Sequence, residues 1–105
     1  MELSFKNERL KKLCENHKKM FIKYGCDQAE KIIQRINELQ AAETLYDISK
    51  LPQTNLHPLA EDLNGFFAVN LINPYRLLFS PVNGVSSDLK TITKIKIFEL
   101  KINYH

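Results

Sequence analysis

The spacing of apolar residues changes once along this chain, and that change limits what the chain can build. From Leu10 to Leu39 apolar side chains recur every three or four positions, whereas from Phe66 onward they alternate or run together. The first spacing puts one stripe on a helix, and the second serves β-strands. Leu10, Leu13, Cys14, His17, Met20, Phe21 and Tyr24 form one stripe, which predicts a single helix with Asn7 as its cap and Gly25 as its stop. His17 is read as a packed or half-buried member of that stripe. Ala29, Ile32, Ile33, Ile36 and Leu39 form a second stripe, opened by Asp27 and Glu30 in the spacing of a capping box. The short Gly25-Cys26 connection predicts an antiparallel helical hairpin.

The strands are Met1–Phe5, Phe66–Ile72, Tyr75–Phe79 and Thr91–Ile102, with Asn73-Pro74 as the turn between the middle two. In the last strand Thr93, Ile95 and Ile97 share one phase, and Phe98, Leu100 and Ile102 share the other. That break predicts a bulge or a strand buried on both sides. The order β-α-α-β-β-β predicts one α+β domain over residues 1–105, with the hairpin on one face of a mainly antiparallel sheet of about four strands. The other face is expected to stay open. Between the second helix and the sheet, Pro52 and Pro58 forbid a continuous helix, and a long connection delivers His57 to the start of the sheet.

Composition narrows the class. No run approaches the ~18 apolar residues of a membrane span, and no apolar signal segment precedes the N-terminal charges, so the cytosol is the expected compartment and no membrane is expected as a partner. Cys14 and Cys26 match no zinc or redox spacing, and no cofactor or metal is expected. The net charge of +3 divides into +4 over residues 1–35, −3 over 36–87 and +2 over 88–105, a basic bias compatible with RNA or an acidic partner.

His57, Arg76, Tyr104 and His105 are the residues with chemistry to offer on the open side. Such a set suits RNA cleavage without metal, in which a 2′-hydroxyl attacks the adjacent phosphate. His or Tyr moves the protons, and Arg presents a planar, permanently charged fork to the phosphate. Without more, these residues describe a small α+β domain with an anion site.

The segments HPLAEDLNGFFAVNL, NPYRLLF and the terminal INYH, with the KYG…A…I…L…AA…L pattern of Lys23–Leu45, resemble the HigB-type "killer" toxins of the RelE/ParE superfamily. The resemblance covers nearly the whole chain. It implies the RelE/ParE-like fold and a ribosome-dependent mRNA endoribonuclease. It also implies a helix-turn-helix antitoxin as partner, with operator DNA reached only through that antitoxin. His57 takes the place of the family's histidine, Arg76 that of the strand arginine, and Tyr104 and His105 those of the terminal Tyr-His.

Two departures stand out. Many relatives carry a lysine three residues after the histidine and then a glycine, where this chain has Ala60 and Glu61. Asn103 stands where the family usually has Asp. Lys101 or Lys50 is the candidate for the missing charge, and Asn103 for a hydrogen bond. The departures predict attenuated cleavage, or a degenerate protein that only binds its antitoxin and regulates the operon. A ParE-like gyrase inhibitor on the same fold is the further alternative.

Overall fold

The computed structural model describes residues 1–103. Its elements are β1 (Glu2–Phe5), α1 (Glu8–Glu15), α2 (His17–Tyr24), α3 (Cys26–Ala41), α4 (Leu45–Ser49), β2 (His57–Pro58), β3 (Phe67–Asn70), β4 (Tyr75–Pro81) and β5 (Lys94–Asn103). Short 3-10 turns at Pro52–Thr54, Glu61–Leu63 and Leu89–Thr91 punctuate the connections.

The strands form one five-stranded sheet in the order β1-β5-β4-β3-β2. β1 runs parallel to β5, and the remaining pairs are antiparallel. The expectation of about four strands missed β2. A two-residue strand ending in proline carries no alternation to read, yet His57 pairs with Ala68 and Pro58 with Phe67.

The first helical stripe is interrupted. Asn16 leaves the helical conformation, closes α1 and accepts from the Lys19 amide at 3.1 Å as the cap of α2. The break turns His17 out to solvent, so it is not a packed residue. Asn7 caps α1 as expected, accepting from the Leu10 amide at 2.8 Å. Gly25 ends α2 at φ 79°, its amide donating to the Phe21 carbonyl, and it also opens α3. Asp27 therefore lies inside the first turn of α3, where its carboxylate meets the positive end of the helix instead of capping it.

The main core lies between α2, α3 and one face of the sheet. Met20, Ile32 and Leu39 meet Val69, Leu77, Phe79, Ile95 and Ile97 there, all nearly inaccessible to water. Arg35, only 3% exposed, is the charged residue buried beside this core. Its Nε donates to the Asn70 carbonyl at 2.7 Å, Nη2 to the Gln53 carbonyl at 2.8 Å, and Nη1 pairs with Glu38 at 2.8 Å. A buried guanidinium is tolerable because its donors are answered.

The phase break in β5 is a bulge. Leu78 pairs with Glu99 and Phe79 with Ile97, so Phe98 has no partner of its own. Ile97 and Leu100 therefore both reach the helical side, while Phe98 turns to the other. That second face is not bare. Leu59, Ala68 and Leu78 form a smaller buried cluster there with Leu63, Phe66, Phe98 and Ile102. The segment after β2 folds back over the sheet, closed by the Leu59 amide donating to the Phe66 carbonyl at 2.9 Å. A sheet face this apolar draws such a cover.

Candidate functional site

Register puts His57 and Arg76 on one face. Side chains directly opposite each other across a ladder project to the same side. His57 faces Ala68, Ala68 faces Leu78, and two residues further along Asn70 faces Arg76. Sheet spacings then separate the α-carbons of His57 and Arg76 by about 12 Å. Both side chains are half-buried and border the Leu59–Leu78 cluster.

The His57 ring has a defined orientation. Its Nδ1 lies 2.7 Å from the Asn55 carbonyl oxygen, which can only accept, so Nδ1 carries the hydrogen. In the neutral ring Nε2 is then the free acceptor. Asn55 holds that carbonyl from the left-handed region at φ 44°, a conformation Asn enters more readily than most residues.

Arg76 is aimed by Asn70, whose Oδ1 accepts from Nη1 at 2.8 Å. The backbone carbonyl of the same Asn70 accepts from Arg35 on the helical side. Arg35 also holds Gln53, two residues before the Asn55 carbonyl that orients His57. One buried guanidinium thus braces the supports of both candidate residues. Sequence reasoning missed Asn70, Asn55 and Arg35. The available signal was Asn70 as the polar member of the run Phe66–Ile72, placed to face Arg76 across a short hairpin.

The other candidates are distributed differently. Asn103 pairs with Tyr75, and the Lys101 ammonium sits 4.2 Å over the Tyr75 ring, on the side of β4 opposite Arg76. Lys50 and Lys90 lie 4.9 Å and 4.7 Å over the Tyr46 ring. Hydrogen bonding to Lys50 pulls the Tyr46 phenol below its ordinary pKa, and the same bond raises that of Lys50. Tyr104 and His105 lie outside the described residues. Among the described residues no three of His, Cys, Asp or Glu gather into a possible metal site.

Ala60 and Glu61 are exposed on the covering segment, and Glu61 has φ 56°. The backbone at this position keeps the left-handed conformation that favours glycine, with a glutamate in it.

Among the described residues no helix is long and apolar enough to cross a membrane. A family model described as the RelE-like toxin of type II toxin-antitoxin system HigB matches residues 3–92, which include His57 and Arg76. No curated protein matches the chain. A solved YoeB/ParE toxin from Agrobacterium tumefaciens superposes with a TM-score of 0.55 at 15% identity, covering 99% of this chain and 100% of its own, a likeness of fold.

Proposed function

The chain belongs to the HigB family of RelE-like toxins of type II toxin–antitoxin systems, and we propose that it is a ribosome-dependent endoribonuclease that cuts mRNA during translation. Membership of the family implies a cognate antitoxin, for which a helix-turn-helix protein is the proposed form. The observation that carries the reading is the shared face of His57 and Arg76, each side chain oriented by a hydrogen bond.

The chemistry follows from those orientations. His57 Nε2 takes the proton of the attacking 2′-hydroxyl. The new bond from the 2′-oxygen to phosphorus displaces the 5′-oxygen, leaving a 2′,3′-cyclic phosphate and a 5′-hydroxyl. Arg76 keeps donors beyond the one given to Asn70, and these meet the charge that builds on the phosphate. Tyr104 or His105 supplies the proton to the leaving oxygen. Lys50 and Lys101, held over tyrosine rings, and Asn103, beside Tyr75, serve RNA outside the reacting phosphate.

One observation favours a second reading. Glu61 puts an exposed carboxylate where relatives carry glycine, next to an alanine in place of a cation, and both changes oppose phosphate binding. On that reading the chain binds its antitoxin without cutting. Inducing the chain without its antitoxin and mapping transcript ends separates the two. New ends phased to codons, absent in His57→Ala and Arg76→Ala, support cleavage. Intact transcripts with normal growth support the degenerate protein, and altered plasmid supercoiling with intact transcripts points to gyrase.

A further inference from the structure

A cavity of about 590 Å³ lies away from His57, Asn70 and Arg76, none of which lines it. It opens where β1 ends and β5 continues. The Lys6 amide makes the last bond across to β5, at the Ile97 carbonyl. Beyond that point no strand flanks this edge of β5 among the described residues.

Five exposed cations surround the opening. Lys6 comes from the turn after β1, Arg9 and Lys12 from one face of α1, and Lys19 and Lys23 from one face of α2. Three- and four-residue spacing puts each helical pair side by side, so α1 and α2 form two basic walls. Among the described residues the ion pairs are Arg35–Glu38 and Lys94–Glu2, and neither involves these five. Among the described residues Glu99 is the one carboxylate in the lining, against five cations. The floor is mainly aliphatic: Leu10 and Leu13 are partly exposed, and Leu100 is almost wholly buried.

We infer that this cleft docks an acidic, amphipathic segment of a partner polypeptide, with carboxylates against the two lysine-rich walls and aliphatic side chains on the leucine floor. The aliphatic lining favours a peptide over single-stranded RNA as the occupant. Single-stranded RNA gains its non-ionic binding by stacking bases on open aromatic faces. Both aromatic rings among the described lining residues have partners: Lys23 lies 5.6 Å over Tyr24, and Phe98 packs edge-on against Phe66 at 4.9 Å. Leucines offer a base no such face, but they match the apolar side of a peptide. The inference stands apart from RNA cleavage, because neither His57 nor Arg76 lines the cleft.

The test is a titration of the ¹⁵N-labelled full chain with a 14-residue Glu/Leu peptide, followed by amide shifts. Shifts are expected at Leu10, Leu13, Lys23 and Leu100, in His57→Ala as in the unaltered chain. The double variant Lys12→Glu/Lys19→Glu is expected to bind about tenfold or more weakly, as loss of complementary charges predicts. Should that variant not fold, Arg9→Ser/Lys23→Ser gives the same comparison. Replacing the peptide leucines by serine is expected to weaken binding by a similar factor. Equal affinity for the serine peptide, shifts centred elsewhere, or no shifts would overturn the inference. So would an oligouridylate of equal charge binding more tightly at these residues.

Discussion

Asn70 joins the two sides of the sheet to Arg76: its side-chain oxygen accepts from Arg76 Nη1 at 2.8 Å, while its backbone carbonyl accepts from buried Arg35 at 2.7 Å. Asn70 can in this way set the direction of the guanidinium proposed to meet the RNA phosphate. Asn70→Ala is expected to keep the fold and lower cleavage about ten- to a hundredfold by misplacing the guanidinium. Asn70→Asp, which retains the acceptor, should recover part of the loss. An Asn70→Ala variant as active as the unaltered chain in a reconstituted translation assay would remove Asn70 from this role.

Arg35 should matter for stability more than for chemistry. Arg35→Leu leaves the Asn70 and Gln53 carbonyls without their buried donor and Glu38 without its partner. Urea unfolding is expected to show a loss of about 3 kcal/mol. Arg35→Lys, with a single ammonium for three separated acceptors, should restore less than half of it.

Glu61 is a position where the backbone prefers glycine. Glu61→Gly relieves the left-handed conformation at φ 56° and is expected to stabilise the fold by about 1 kcal/mol in thermal or urea unfolding. It also removes an anion beside the proposed RNA site, so the same variant should cleave faster. If stability rises and cleavage does not, the carboxylate is not what limits activity.

The two thiols should behave differently. Burial, with a smaller contribution from Glu15, pushes the Cys14 thiol from 9.0 up to about 12, while Cys26 is exposed. A thiol reagent at neutral pH is expected to label Cys26 rapidly and Cys14 slowly until the chain unfolds. Because the native state holds the Cys14 proton where the unfolded chain releases it, the Cys14 contribution is complete below about pH 9. It is lost as pH rises from there toward 12. Cys14→Ala should flatten that part of the stability profile.

The fold was legible where a residue acts through its own neighbours in sequence. Asn7, Gly25 and the phase break at Phe98 each carry a local signal, and each behaves as that signal says. Asn16 was hidden because the apolar stripe runs through it without a gap, so its cap to Lys19 had to compete with an uninterrupted pattern. β2 was hidden because two residues have no period. The covering of the second face by Leu59 and Phe66 depends on tertiary contact and leaves only a general excess of apolar residues to read. At the site, residue types pointed to His57 and Arg76. The residues that aim them lie far away in sequence, as with Arg35, or look like ordinary loop and strand polars, as with Asn55 and Asn70.

The most direct test of the central claim is the chemistry of the cut. Purified chain is added to ribosomes translating a defined mRNA, and the new RNA ends are analysed. A 5′-hydroxyl and a 2′,3′-cyclic phosphate are expected at each cut, with rates lowered about 10²- to 10⁴-fold in His57→Ala and about 10²- to 10³-fold in Arg76→Ala. Cleavage at the unaltered rate in both variants would contradict it, as would no cleavage by the unaltered chain.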